Sequence, residues 1–241
     1  TAERRAVVTD RVELPRVYMA WLTPAFFKPG DADADIAATV LGGGNSSRLY
    51  KSLVYEKQIA QDVSTFQYSL ALGSTFQIVA TVRPNHTVQE VEKAIDEELN
   101  RFRQSGPDEK EVARARNTFD TNMLQGLEIR GGYGGVADTL NMFNHYVGDP
   151  GYLPKYLEEH RQVTPASVKT FAAKYLQPQT RVVVHGVPGR RNLGPNVATP
   201  PAASAAPGTG AEAINPDAPW RATQPKPAAD RGLSLPTPAT F

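Results

Sequence analysis

Histidines and acidic side chains at helical spacing are the natural place to look for metal-dependent hydrolysis. Two histidines three or four residues apart on one helix can bind zinc, and a neighbouring glutamate can activate the bound water. No two of the four histidines have that spacing; they are His86, His145, His160 and His185. Residues 156–160 (YLEEH) come nearest to a His-x-x-Glu-His motif, but Tyr156 stands where the first histidine would be. We therefore predict no metal bound by this chain, an amphipathic helix at 156–160 and a structural role for His185.

Other catalytic motifs are also missing from the sequence. The chain has no cysteine, which excludes disulfides, thiolate nucleophiles and cysteine–metal sites. It has no Gly-x-Ser-x-Gly nucleophile turn, and Gly42–Gly44 follow a predicted helix rather than the strand that precedes a dinucleotide-binding loop. Gly131–Gly135 are typical of a flexible helix junction, with a hinge or a substrate-contacting backbone as the alternative. We predict that this chain alone is inactive.

The overall composition disfavours two classes of partner. A net charge of +1 over 241 residues gives no basic surface for nucleic acid or for an anionic membrane. No apolar run approaches the roughly 20 residues needed to span a bilayer. The absence of cysteine is compatible with an oxidising compartment and with the cytosol. We expect a bacterial periplasm rather than the cytoplasm.

Hydrophobic periodicity predicts about five strands and six or seven helices between residues 5 and 187. The predicted strands are residues 6–8, 16–22, 62–70, 75–82 and 181–184. The predicted helices are residues 32–41, 47–56, 88–105, 108–127, 136–147, 152–161 and 165–176, and capping signals at Thr87 and Thr164 begin two of them. Hairpins mixed among helices favour an α+β fold, with a mixed, largely antiparallel sheet of about five or six strands covered by helices on one face.

Two of the predicted strands carry an expectation about burial. Residues 16–22 are apolar at odd and even positions, which is typical of a central strand covered on both faces. In residues 62–70, Phe66, Tyr68 and Leu70 alternate with polar positions, which predicts one apolar face.

Composition changes near Val187. Residues 188–241 hold 11 of the 20 prolines and few large apolar side chains, so they bury too little apolar surface to offset their chain entropy. We predict a folded domain at 1–187 and a Pro/Ala-rich linker or tail at 188–241. Trp220 and residues 233–241 place apolar anchors at intervals, which indicates a segment partly strapped to a folded surface.

The segment at residues 41–50 (LGGGNSSRLY), with the 53–64 stretch after it, is the most informative in the chain. Its three glycines allow a tight reversal between two helices, and Asn45, Ser46 or Ser47 can cap the second helix. A Gly-Gly-Gly-x-Ser-Ser-Arg-Leu turn, followed by a helix ending in Glu-Lys and then by Val-Ser, resembles the non-metal-binding domain of the pitrilysin/insulinase zinc metallopeptidases. The likeness extends over about residues 3–187.

The resemblance implies a division of labour between domains. Members of this family hold zinc in another domain of similar fold, and two such halves form a clamshell around a peptide chamber. By that likeness this chain is a non-catalytic domain that packs on a zinc-bearing peptidase domain, in cis or in trans, and forms a wall of the chamber for a peptide substrate. Zinc is then expected in the partner domain, and residues 188–241 resemble an interdomain linker.

The resemblance also points to two substrate-binding positions. In many members an Arg, and a Tyr seven residues later, contact the substrate near the zinc. Tyr55 and Asp62 stand at these positions here, and they depart from the usual pair because one lacks a guanidinium and the other a phenol. The alternative function is a structural or assembly protein of the same fold without peptidase activity, like the respiratory-complex core subunits.

Overall fold

The computed structural model describes residues 2–191, which belong to one compact unit. The strands are β1 (Arg4–Asp10), β2 (Arg16–Thr23), β3 (Ala60–Tyr68), β4 (Ser74–Val82) and β5 (Arg181–Pro188). The α-helices are α1 (Asp31–Gly42), α2 (Val88–Ser105), α3 (Glu109–Gly126), α4 (Val136–Val147), α5 (Leu153–Arg161) and α6 (Pro165–Tyr175). A π-helix covers Tyr50–Glu56, and a 3₁₀ turn covers Pro178–Thr180.

The five strands form one sheet in the order β1-β5-β2-β4-β3. Three of the four strand pairings are antiparallel, namely β5 with β2, β2 with β4 and β4 with β3, and β1 pairs with β5 in parallel. Helices from the intervening segments bury the apolar side chains of one sheet face in a continuous core. The predicted α+β fold, with a largely antiparallel sheet, is thereby confirmed.

The central strand is packed on one face only. Val17, Met19 and Trp21 are buried under the helices, whereas Tyr18 and Leu22 on the opposite face are exposed. The prediction of a central strand was correct, but the prediction that both faces are covered was wrong within the part of the chain that the structure describes. The apolar residues Tyr18 and Leu22 on the uncovered face of β2 therefore belong to an exposed surface and not to a second layer of core.

Capping explains where the long helices begin. Thr87 and Glu90 form the predicted capping box at the start of α2, and Thr164 with Ser167 forms another at the start of α6. Asp108 accepts a hydrogen bond from the backbone N–H of Glu111 and begins α3 in the same way. These local signals lie within a few residues of each helix start, which is why sequence patterns located them.

The glycine turn brings α1 close to the sheet. A Cβ on Gly42 would lie 2.1 Å from Thr65 Oγ1 and 2.6 Å from Thr65 N, so α1 ends against β3 where no side chain fits. Asn45, Ser46 or Ser47 was predicted to cap the next helix, but that helix begins without a side-chain cap, and the Ser47 hydroxyl donates to the carbonyl of Gly44 at 2.6 Å. The predicted helix at 47–56 is present, but it adopts π-helical geometry from Tyr50 onward.

Arg48 of the same turn ties three segments together. Its guanidinium donates to both carboxylate oxygens of Glu111 at 2.6 and 2.7 Å and to the carbonyl of Gly106 at 3.0 Å. It also lies 5.3 Å from the centre of the Phe102 ring. Charge-assisted, bidentate contacts of this kind fix orientation, so Arg48 positions the turn against α2 and α3.

The remaining predictions about chain organisation have mixed outcomes. Gly131–Gly135 do join α3 to α4, with Gly132 and Gly134 at positive φ, while a hinge or substrate role stays a prediction. The domain boundary at residue 187 also stays a prediction, because most of 188–241, including Trp220, lies outside the described residues. Within those residues, no helix has the length and apolar character needed to cross a bilayer.

Candidate functional site: the open face of the sheet

The sheet face opposite the helices, which we call the open face, is built from regular cross-strand rows. One row joins Val182, Ala20, Gln77 and Phe66, and the next joins Val184, Tyr18, Val79 and Ser64. Leu22, Thr75 and Tyr68 form a third row at one end, and Arg16, Thr81 and Asp62 a fourth at the other. Side chains in such rows contact their neighbours directly, because facing Cβ atoms are about 5 Å apart.

Large apolar side chains on this face remain exposed. The exposed fractions are 77% for Leu22, 56% for Tyr68, 44% for Val182, 40% for Phe66 and 39% for Tyr18. Single exposed apolar residues are ordinary, but neighbouring ones in adjacent rows form a patch of the kind that marks interaction surfaces. Leu70 and Leu72, in the β3–β4 loop that follows Tyr68 in the chain, are also exposed.

The opposite end of the open face is polar. Arg16, Thr81 and Asp62 lie side by side across β2, β4 and β3. A bulge between Ala60 and Asp62 interrupts the pairing at the start of β3, and such irregularities redirect side chains at strand ends. The open face therefore presents an apolar zone and a charged zone about three rows apart.

Of the two positions predicted from the family resemblance, one lies on this face. Asp62 is exposed in the charged zone, and Tyr55 lies near the end of the π-helix with 77% of the residue's surface exposed. Neither side chain makes a hydrogen bond or an ion pair to another part of residues 2–191. Their role in binding substrate stays a prediction.

The histidine of the YLEEH segment is engaged in the interior. His160 Nδ1 lies 2.9 Å from the carbonyl of Tyr156, and Nε2 lies 3.2 Å from Asp35 Oδ2. The ring is stacked on Phe119 with centroids 3.6 Å apart. Burial raises the pKa of Asp35 above its ordinary value, although the bond from His160 opposes that shift. Both ring nitrogens are occupied, so His160 joins α5 to α1 rather than offering a metal ligand.

His185 has a structural environment as well. Its Nε2 lies 2.7 Å from Glu92 Oε2, and both side chains are largely buried beneath α2. Among the described residues, no three His, Asp or Glu side chains converge as a metal site would require. The open face, with its exposed apolar side chains, is the candidate functional surface of the described residues.

The sequence did not show on which side of the sheet the aromatic residues of β3 lie. The alternation in residues 62–70 was real, but Val63 and Thr65 face the helices, whereas Phe66 and Tyr68 face outward. Thr65 and Gln67 are polar although they lie on the helix side of β3, so polarity alone did not show which face of the strand is covered. Pairing with β4, whose Phe76 and Ile78 are buried, is what fixes the orientation.

The domain is an α+β fold with one open sheet face, and its described residues hold no cluster of metal ligands. Residues 1–119, about half of the chain, match the family model for the peptidase M16 inactive domain. The resemblance to the pitrilysin/insulinase metallopeptidases is thus confirmed, and the domain is a non-catalytic one of the zinc-protease type.

Individual relatives agree with this assignment. The zinc protease PqqE of Helicobacter pylori is 25% identical over 156 residues, which are 64% of this chain and 35% of that protein. The crystal structure of a protease from Helicobacter pylori has a TM-score of 0.69 and 22% identity over 78% of this chain and 45% of that one. A chain of complex III from Candida albicans has a TM-score of 0.65 and 20% identity over 76% and 45%. The structural likenesses show the fold, and this chain spans about a third of the length of its curated relatives.

Proposed function

We propose that this domain forms a non-catalytic wall of the peptide chamber of an M16 zinc peptidase, with its open face toward the bound peptide. The observation that carries the proposal is the bare sheet face, where Leu22, Phe66 and Tyr68 are exposed although the opposite face is fully packed. A domain that serves only as a spacer has no need of such a surface. A chamber wall has one, because an unfolded peptide offers apolar side chains and unpaired backbone groups.

The proposal assigns zinc to a partner domain. The curated relatives are about three times as long as the matched part of this chain and are named as zinc proteases, which leaves room in them for a metal-bearing domain. We infer that such a domain packs on this one, in cis or in trans. The described residues here supply no converging metal ligands, and the catalytic groups then belong to that partner.

A second candidate is an assembly role without proteolysis. The structural likeness to a chain of complex III from Candida albicans is the observation that favours it. In that case the open face would be covered by a permanent protein partner rather than by transient peptides. The two candidates differ in whether adding this chain changes the rate of peptide cleavage by a zinc-bearing M16 domain.

Mixing this chain with a zinc-bearing M16 domain from the same organism tests the proposal. We expect the wild-type chain to raise kcat/KM for an unstructured peptide at least tenfold, and Leu22→Arg to abolish most of that increase by placing a charge on the open face. Leu140→Arg is the matched control, because Leu140 is 46% exposed on α4. Equal loss with both variants would contradict a role for the open face, and no stimulation by the wild type would favour the assembly role.

We also propose a bacterial periplasmic location. A chain without cysteine needs no reducing environment and gains nothing from an oxidising one, so composition permits this location. Fractionation of the source cells, followed by detection of the chain in the periplasmic and cytoplasmic fractions, tests it directly.

A further inference from the structure

His160 is a buried titratable residue whose two ring nitrogens both face oxygen acceptors. The residue lies near the end of α5 and is 1% exposed. Nδ1 lies 2.9 Å from the carbonyl oxygen of Tyr156, and Nε2 lies 3.2 Å from Oδ2 of Asp35 on α1. A carbonyl oxygen and an ionised carboxylate can each accept a hydrogen bond but cannot donate one. Both contacts are therefore hydrogen bonds only if a proton lies between the two atoms of each.

A neutral imidazole supplies only one of these two protons. It carries a single N–H, and its other nitrogen holds a lone pair. With Asp35 ionised and His160 neutral, one of the two contacts would place that lone pair against an oxygen. The observed contacts thus need one additional proton, which either the ring or the Asp35 carboxyl can carry. The two side chains share this proton as a pair.

We propose that His160 and Asp35 form a proton-dependent link between α5 and α1, which is intact while the pair holds the additional proton and breaks when that proton passes to solvent. Loss of the proton leaves a lone pair against an oxygen, so the ring must leave its place on Phe119, where the centroids are 3.6 Å apart. The proton can reach solvent, because 25% of the Asp35 side chain is exposed and His160 lines a cavity of about 470 Å³ beside α5.

This link is the polar part of the attachment of α5. Within residues 2–191, the contact of Nε2 with Asp35 is the one side-chain hydrogen bond that joins α5 to α1. The rest of the attachment is largely aromatic, since the Tyr156 ring meets Phe26 and Phe27 before α1 and Phe119 on α3. Those aromatic contacts carry no proton that could be lost. Breaking the link should therefore loosen α5 and the cavity beside it without unfolding the domain.

The other ionisable groups around the pair belong to types that titrate outside the neutral range. Carboxylic acids titrate well below neutral pH, and lysine, arginine and tyrosine well above it. Burial raises the pKa of Tyr156 still further above its ordinary value of 10.0. α4 meets α5 through the ring of Phe143. The ionisable groups that face the pair or its helix are Lys28, Asp31, Asp33, Tyr152, Lys155, Tyr156, Glu159, Arg116, Asp120 and Arg161.

The proton count fixes the direction of the pH dependence. A histidine free in water has a pKa of about 6.5, so the unfolded chain has given up the proton at higher pH, whereas the intact link requires it. Stability falls with rising pH wherever the folded state binds more protons than the unfolded state does. The wild-type chain should therefore lose stability between about pH 6 and about pH 9.

Asp35→Asn separates the proton from the hydrogen bond. The asparagine amide can donate to Nε2 of a neutral ring while Nδ1–H donates to the carbonyl of Tyr156. Both contacts are then made without an additional proton. This variant should keep α5 attached to α1 and should lack the pH dependence that the pair gives to the wild type.

Urea unfolding of the 241-residue chain over a series of pH values tests the link. From about pH 6 to about pH 9, the unfolding equilibrium constant of the wild type should rise at least fivefold relative to that of Asp35→Asn. The other histidines are present in both chains, so their titration cancels in this ratio. His145→Gln is the control, because His145 is exposed on α4, and it should keep the wild-type profile. Parallel profiles for the wild type and Asp35→Asn would overturn the inference.

NMR spectra of the wild-type chain with isotope-labelled histidine give a readout that needs no variant. We expect the ring nitrogen signals of His160 to change between about pH 6 and about pH 9, together with backbone amide signals of α1 and α5. A neutral ring with its proton on Nε2 throughout that range would overturn the inference, because the pair would then hold no additional proton. Both measurements use this chain alone, so their failure would leave the chamber-wall proposal standing.

Discussion

Replacing Gly42 with alanine should lower the free energy of unfolding by about 3 kcal/mol, the upper part of the usual range for overpacked sites. The new Cβ would meet Thr65 Oγ1 at 2.1 Å and the Thr65 backbone nitrogen at 2.6 Å. A rotation of the threonine side chain relieves the first clash but not the second, so α1 must move away from β3. Urea unfolding followed by circular dichroism measures the change.

Gly73→Ala is the matched control for that prediction. A Cβ on Gly73 meets nothing within 4 Å, and the residue does not need a positive φ. Alanine there should leave stability unchanged or raise it slightly, because it restricts the unfolded chain. If Gly42→Ala were as stable as Gly73→Ala, the close approach of α1 to β3 would be contradicted.

Replacing Glu92 with glutamine should cost about 3 kcal/mol, because its carboxylate, on α2, is shared by Arg5, Arg181 and His185. Arg5 donates to both of its oxygens, His185 Nε2 lies 2.7 Å from Oε2, and Arg181 Nη2 lies 3.6 Å from Oε1. Arg181 and His185 are nearly buried, so loss of the carboxylate removes one of the anions that compensate the buried Arg181 and takes the charged partner from His185. Thermal or urea unfolding at neutral pH measures the loss.

The same substitution should have a defined pH dependence. Burial alone would raise the pKa of Glu92, but the bonds from Arg5 and His185 hold it below its ordinary value of 4.5. A carboxylate with a lowered pKa in the folded state contributes stability above pH 4.5 and loses that contribution as the pH falls through the folded-state pKa. The stability gap between wild type and Glu92→Gln should therefore be largest above pH 4.5 and should narrow in acid.

Glu97→Gln on the same helix provides the control. Glu97 pairs with Lys57 at 2.8 Å on the exposed side of α2, where solvent screens the interaction. We expect no measurable change in stability from this variant at any pH. If Glu92→Gln and Glu97→Gln lowered the free energy of unfolding by similar amounts, the buried cluster around Glu92 would stabilise the fold no more than an exposed ion pair does.

Local signals made much of the fold predictable. The capping box at Thr87 and the Thr164-Pro165 start depend on contacts within four residues, so the sequence determines those helix ends by itself. Phe76 and Ile78 alternate with polar neighbours and are buried as their pattern predicts. Short-range hydrogen bonding and strand alternation therefore account for these elements.

The residues of the open face could not be predicted from the sequence, because contacts between distant segments determine which face of the sheet the helices cover. Tyr18 and Leu22 are as apolar as Val17 and Met19, so β2 alone does not show which set the helices cover. Asp62 was named through the family resemblance, but its place beside Arg16 and Thr81 follows from strand order and register. Long-range pairing decides those neighbours.

Arg48 shows the same limit at the glycine turn. The sequence identified it as part of a family motif, but its partner Glu111 is 63 residues away on α3. On the helix of Glu111 itself, Arg116 pairs with Glu109. Ion pairs between distant segments depend on packing that sequence spacing does not reveal.

Peptidase activity of the purified chain, with and without added zinc and with a chelator, tests the central claim most directly. The account predicts no cleavage of an unstructured peptide under any of these conditions, and cleavage only after a zinc-bearing M16 domain is added. Chelator-sensitive cleavage by this chain alone would contradict a non-catalytic domain and would place metal ligands among residues that the present assignment leaves structural.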